Sequence, residues 1–125
     1  MSKAFGKRIW AIAEGFIPGS STGPEPAMKS HETVCVLNTG EVEASLKMTV
    51  FFSDRDPAGP YEFNVPGRRT AHVRVNELTD PEPVPADTPY AVLVESDQPV
   101  VIQQSRLDSR QAENALFSTM AYPAG

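Results

Sequence analysis

The chain has 125 residues, of which 40% are hydrophobic and 22% charged, and 16 acidic against 11 basic residues give a net charge of −5. This length and composition indicate one globular domain, and the acidic balance argues against a general nucleic-acid-binding surface. A single cysteine, Cys35, excludes an internal disulfide. No segment has the pattern of a signal peptide and no apolar run approaches the ~20 residues that span a bilayer, so we expect a soluble, cytoplasmic protein.

Hydrophobic patterning predicts strands along most of the chain. The pattern is clearest at Ala44–Phe52, where every second residue from Ala44 is apolar. Shorter apolar runs rich in β-branched or aromatic residues are interpreted as strands too, although the last of them is also compatible with a helix at its start. In chain order, the predicted strands are Ile9–Ala13, Thr33–Leu37, Ala44–Phe52, Tyr61–Val65, Ala71–Asn76, Tyr90–Val94, Val100–Ile102 and Ala115–Tyr122.

Twelve prolines and eight glycines separate these runs into short segments. We predict a tight turn at Asn38–Gly40, a loop at Asp54–Pro60 and a turn at Ser96–Pro99. Two proline-rich segments, Pro18–Ser30 and Thr79–Pro89, are predicted to run extended along the surface. About eight short strands with such connections indicate one all-β domain over residues 1–125, a β-sandwich or jelly-roll-like barrel, and its sheet edges make self-association plausible.

Polar residues alternate along the predicted strand near residue 72. Arg68, Thr70, His72, Arg74 and Asn76 have the same parity, so they share one face of a strand. A solvated outer face is one interpretation. The other is a binding surface, because two arginines and a histidine in one row repel each other unless an anion, a carboxylate or a partner faces them.

A dense polar segment, Arg106–Asn114, lies between two apolar runs. In one interpretation Asp108 or Ser109 caps a helical turn, and the arginines pair with neighbouring carboxylates. In the other, Arg106 and Arg110 form guanidinium forks for carboxylate, phosphate or sugar hydroxyl groups. Loops between core strands are common positions for binding sites.

Near the N-terminus, Trp10 is either a core residue or a stacking platform for a ring, with Glu14 of the same parity beside it. His31 and Glu32 are adjacent, so on a strand they point to opposite faces and make a poor joint metal site. We therefore predict no metal and no cofactor. The sequence lacks the common catalytic motifs and Cys35 lies in an apolar run typical of an inert thiol, so we expect a binding protein and not an enzyme.

Several of these segments together resemble the sensory rhodopsin transducer family. The resemblance extends from about Ile9 to Tyr122, and its longest and most specific motif is Ser105–Leu116. The other matching motifs are Trp10–Pro18, Gly23–Pro26, Ser30–Cys35, Val65–Thr70 and His72–Arg74.

The resemblance implies an all-β, homotetrameric protein of signal transduction that binds a small polar ligand, either sugar-like or anionic. Trp10 would stack on this ligand, the arginines would hold its anionic or hydroxyl groups, and Glu14 and Asp108 would accept hydrogen bonds. An alternative role is docking on a membrane photoreceptor or another receptor, and a less favoured one is DNA-binding regulation through Arg68, Arg69 and Arg74. The candidate ligand residues are Trp10, Glu14, His31, Glu32, Arg69, His72, Arg74, Arg106, Asp108 and Arg110.

Overall fold

The computed structural model describes residues 4–22, 28–111 and 113–125. These residues form eight strands and one 3-10 turn, Val75–Glu77. The structure is therefore all-β, as predicted. The strands are β1 (Lys7–Gly15), β2 (His31–Asn38), β3 (Ala44–Phe52), β4 (Ala58–Val65), β5 (Arg69–Arg74), β6 (Tyr90–Asp108), β7 (Ala115–Met120) and β8 (Tyr122–Pro123).

The longest strand, β6, joins two antiparallel sheets. Its first half lies between β3 and β1 in a sheet ordered β4-β3-β6-β1-β8. Its second half lies between β2 and β7, and β5 completes that sheet beyond β2. The chain is thus a β-sandwich whose two layers share one strand.

The predicted turn at Ser96–Pro99 is wrong. β6 continues through it, with Ser96 opposite Leu46 at the end of one paired half and Val101 opposite Leu37 at the start of the other. Pro99 is paired with no residue of β1 or β3 and lies where the β1–β6 register shifts, a position that tolerates a residue without an N–H group. A proline-containing polar segment therefore marks the passage between sheets and not a reversal of the chain.

Other predicted boundaries shift by a few residues. β4 begins at Ala58, inside the segment predicted as a loop, and the last predicted strand divides at Ala121 into β7 and β8. Ala121 is buried, and the chain changes sheets there: β7 pairs with β6, and β8 pairs with β1. The matching motif Gly23–Pro26 and part of the predicted extended segment Pro18–Ser30 lie outside the described residues.

The core lies between the two layers, as the alternation predicts. In β3, Ala44, Leu46, Met48 and Val50 are buried and the intervening residues face outward. Cys35 differs from the prediction because it is half-buried on the outer face of β2, 3.8 Å from the Ser105 hydroxyl. Every second residue of β2 is buried, and Cys35 lies between two of them. A thiol within a continuous apolar run is therefore still partly exposed.

All six residues of strand β7 are exposed, whereas β1 to β6 each bury or half-bury some of theirs. Leu116 is 74% exposed, Met120 54% and Phe117 41%. Among the described residues β7 pairs with β6 alone, so it forms an edge of its sheet. The described part of the chain contains no helix with the length and hydropathy needed to cross a bilayer.

Candidate functional site

Four strand ends meet at one end of the sandwich. Gly15, at the end of β1, lies opposite Tyr90, at the start of β6, and Glu32 of β2 lies opposite Arg106 near the end of β6. A Cβ atom at position 15 would lie 2.4 Å from the Tyr90 ring, so glycine is needed for this close approach. The meeting of these ends brings Glu14, Glu32, Tyr90 and Arg106 together.

Glu32 is fully buried, at 0% exposure, and its carboxylate is the centre of the cluster. The Tyr90 hydroxyl and the Phe16 amide N–H, the latter at 2.8 Å, both donate to Oε1. Arg106 Nε donates to Oε2 at 2.5 Å. A buried carboxylate is costly unless charge-assisted hydrogen bonds compensate it, and three donors do so here.

Arg106 links Glu32 to the protein surface. Its Nη2 atom donates to both carboxylate oxygens of Glu14, at 3.1 and 3.2 Å. The Arg106 side chain is only 17% exposed, whereas that of Glu14 is 72% exposed. The guanidinium carbon lies 5.2 Å from the centre of the Phe117 ring on β7. Arg106 thus contacts a buried acid, an exposed acid and the edge strand.

The electrostatics of the cluster follow from this packing. Burial raises the pKa of Tyr90 well above 10.0, and the charge and hydrogen bond of Glu32 raise it further. Burial acts to lower the pKa of Arg106, but its hydrogen bonds to Glu32 and Glu14 outweigh that effect and raise it. Arg106 therefore stays charged and Tyr90 stays protonated at neutral pH.

Asp108 and Arg110 form a second pair next to the cluster. Arg110 Nη2 lies 2.7 Å from Asp108 Oδ2, and the Arg110 guanidinium carbon lies 5.7 Å from the centre of the Phe16 ring. The hydrogen bond from Arg110 lowers the pKa of Asp108. Asp108 also accepts a hydrogen bond from the backbone N–H of Arg110, so it caps a turn; the described residues of this loop form no helix.

These two residues line a polar surface depression of about 260 Å³. Gln111, Glu113 and Ala115 complete its lining. Ala115 lies opposite Asp108 in the β6–β7 ladder, and Phe117 lies opposite Arg106 two residues further along. The depression therefore adjoins the Arg106 cluster on the same face of these two strands.

A contact between two buried serines, Ser30 and Ser109, which was not predicted, fixes the loop after β6. The Ser109 N–H donates to Ser30 Oγ at 2.9 Å, and the two hydroxyl oxygens lie 3.1 Å apart. Ser109 Oγ donates to the Met28 carbonyl, and the Thr22 N–H donates to the Ser109 carbonyl. Ser30 and Ser109 lie in two separate sequence motifs, 79 residues apart, so only the fold reveals their contact.

The other candidate residues lie outside the cluster. Trp10 is a core residue, 4% exposed, and its indole N–H donates to two backbone carbonyls, so no ring face is open to a ligand. His31 points away from Glu32, and its Nδ1 atom lies 2.6 Å from the Lys29 carbonyl. His72 and Arg74 lie opposite Cys35 and Thr33 on the outer face of the second sheet.

Arg69 is exposed at the far end of β5, opposite Asn38, and its Nη1 atom donates to the Arg68 carbonyl. Fold and register thus bring together Glu14, Glu32, Arg106, Asp108 and Arg110, and leave the β5 residues apart. Within the described residues, no three His, Cys, Asp or Glu side chains are grouped so that they could hold a metal ion.

Comparisons with known proteins agree with this architecture. Residues 5–123 match the family model described as Anabaena sensory rhodopsin transducer. The structure is similar to the crystal structure of Thermotoga maritima 1070, with a TM-score of 0.85 and 33% identity over 95% of this chain and 96% of that one. It is also similar to the Anabaena sensory rhodopsin transducer, with a TM-score of 0.76 and 50% identity over 85% of this chain and 100% of that one. No curated protein matches the chain significantly.

Proposed function

Because the chain belongs to the Anabaena sensory rhodopsin transducer family, we propose that it is a signal-relay protein that binds a small polar ligand at the depression beside the Arg106 cluster. Binding there changes the edge strand β7, which contacts a partner protein. The observation that carries this proposal is the position of Arg106, which contacts buried Glu32, exposed Glu14 and Phe117 of β7 at once.

The charges of the site favour a neutral, hydroxyl-rich ligand over an anion. Arg106 is already paired with Glu14 and Glu32, and Arg110 with Asp108. Neither guanidinium is left without a carboxylate, and the cluster has more acids than bases. Sugar-like hydroxyl groups can donate to the carboxylates and accept from Arg110 without adding charge.

The relay follows from the shared contacts. A ligand that hydrogen-bonds to Glu14 or Asp108 competes with the arginines for these carboxylates. Arg106 then changes its contact with Phe117, while Glu32 and Tyr90 hold its other side. A ligand shifts this equilibrium only to the extent that it binds the two arrangements of β7 differently.

Thermal unfolding and titration calorimetry with glucose, glucuronate and inorganic phosphate test the ligand class. We expect neutral glucose-type ligands to raise the unfolding temperature more than their anionic counterparts. Asp108→Asn and Glu14→Gln should weaken this response, while Arg69→Ala, at the far end of β5, should leave it unchanged. Stabilisation by the anions alone, or equal loss in all three variants, contradicts the proposal.

The family name suggests the receiving partner, which we propose to be a membrane receptor of the rhodopsin type or another receptor. We further propose a cytoplasmic homotetramer without enzymatic activity. Sedimentation of the purified chain, alone and with detergent-solubilised receptor, tests the tetramer and the receptor contact. A tetramer that co-sediments with the receptor supports the proposal; a monomer that stays apart from it contradicts it.

A further inference from the structure

The outer edge of β7 lacks the features that usually prevent strand pairing. Exposed edges in natural proteins carry charges, prolines or bulges that block another strand. The sequence of β7, Ala-Leu-Phe-Ser-Thr-Met, has no charge and no proline, and its register with β6 is continuous. No other described strand pairs with it. The edge is therefore open to the addition of a strand.

The two faces of this edge differ. Leu116 and Met120 have the same parity and give one face exposed apolar side chains. On the opposite face, Ala115 lies across from Asp108 and Phe117 across from Arg106. In a strand added to this edge, every second side chain would lie on the Leu116 and Met120 face and the others on the opposite face. Its sequence should therefore alternate between apolar and polar residues.

The charged side chains beside β7 determine which charge a partner segment on this edge should carry. Glu113 is exposed two residues before the strand, and it forms no ion pair with the described residues. Asp108 lies across from Ala115, and Glu14 is largely exposed beyond Arg106. Arg106 is paired with Glu14 and Glu32, and Arg110 with Asp108, so with Glu113 the four acids near this edge outnumber the two arginines. The edge is thus an apolar strand bordered by acidic groups.

We propose that the outer edge of β7 binds an alternating apolar and basic segment of a partner protein by strand addition. The apolar side chains of this segment contact Leu116 and Met120, and its lysines or arginines face Glu113 and Asp108. Strand addition gains affinity from backbone hydrogen bonds and specificity from alternate side chains. The cytoplasmic segments of membrane proteins are rich in lysine and arginine, so a receptor segment has the required chemistry. Only the identification with a receptor rests on the proposed function.

Fluorescence anisotropy with labelled peptides of about eight residues, the length of an ordinary strand, tests this surface. The probe alternates leucine and lysine, and its matched control alternates leucine and glutamate. We expect the lysine peptide to bind at least about tenfold more tightly than the glutamate peptide and to weaken as salt is added. Hydrogen exchange of β7 should slow when the lysine peptide is bound.

Matched variants locate the site. Leu116→Ser and Met120→Ser should weaken binding of the lysine peptide several-fold, whereas Val42→Ser, which alters a similarly exposed apolar residue, should not. Glu113→Gln should weaken binding more than Glu43→Gln, since Glu43 lies before β3 and not beside β7.

Equal affinity for the two peptides overturns the proposal, as does equal loss in the β7 and Val42 variants. If Leu116→Ser changes the oligomeric state but not the peptide affinity, the edge serves a second copy of the chain and the proposal is wrong. Peptide binding without any response to sugars would contradict the ligand proposal alone. A sugar response without peptide binding would contradict only the docking surface.

Discussion

The arginines among the candidate ligand residues fall into two regions with different surroundings. At the Arg106 end of the sandwich, β1, β2 and β6 converge and place Arg106 between a buried and an exposed carboxylate. On β5, Arg69 is exposed and His72 and Arg74 follow the outer face of a sheet. Parity predicts which face of a strand a residue occupies. Whether several residues converge depends on where the strands end, and this difference decides which arginines belong to a site.

Replacing the buried acid Glu32 should produce the largest difference in stability between the two regions. Glu32→Ala leaves the Arg106 guanidinium, the Tyr90 hydroxyl and the Phe16 amide without their acceptor. We expect it to lower the free energy of unfolding by about 3–5 kcal/mol, as for other broken buried ion pairs. Arg69→Ala should change it by less than about 0.5 kcal/mol. Urea unfolding measures both, and similar losses in the two variants would contradict the distinction.

Removing the Arg106 guanidinium should have a smaller effect on the free energy of unfolding. Arg106→Ala leaves Glu32 buried with only the Tyr90 and Phe16 donors, so we expect a loss of about 2–3 kcal/mol. Arg106→Lys keeps the charge without the planar fork and should restore part of the loss. Urea unfolding again provides the measurement. If lysine is no better than alanine, the charge of Arg106 does not stabilise the cluster.

Alkaline pH sharpens the comparison through Tyr90. Its pKa lies above 10.0 in the folded protein, because burial and then Glu32 disfavour the phenolate. Above pH 10 the unfolded chain releases this proton while the folded chain keeps it, so the free energy of unfolding should fall by up to about 1.4 kcal/mol per pH unit. Tyr90→Phe should make this decline shallower; Tyr61, whose pKa burial also raises, should sustain a remainder. An identical decline in wild type and Tyr90→Phe would contradict the assignment.

Acid pH should produce the smallest effect. The hydrogen bond from Arg110 lowers the pKa of Asp108 below 3.8 in the folded protein. The stability that the pair provides is therefore present above pH 3.8 and lost as the pH falls through the lower, folded value. Because the pair is partly exposed, the loss should be slight. Asp108→Asn should make the free energy of unfolding depend slightly less on acid pH, and its effect should exceed that of Asp56→Asn. A larger effect of Asp56→Asn would show that the Asp108–Arg110 pair does not stabilise the fold.

Alternation predicted the architecture well where one strand face is buried. The predicted bounds of β3 are those observed, because its buried and outward residues alternate without interruption. Prediction failed at Ser96–Pro99, where local turn chemistry is present but β6 passes between the sheets. Five candidate ligand residues converge, but the contacts of Tyr90 with Glu32 and of Ser30 with Ser109 were not predicted. These are contacts between residues far apart in the chain, which no single-strand pattern encodes.

Hydrogen exchange of residues 115–120 in Arg106→Ala, compared with Arg69→Ala, tests the central claim most directly. That claim is that the buried cluster and the edge strand are coupled through Arg106 and Phe117. We expect exchange in β7 to become several-fold faster in Arg106→Ala, because Phe117 loses its contact, and to remain at the wild-type rate in Arg69→Ala. Unchanged exchange of β7 in Arg106→Ala would contradict the account.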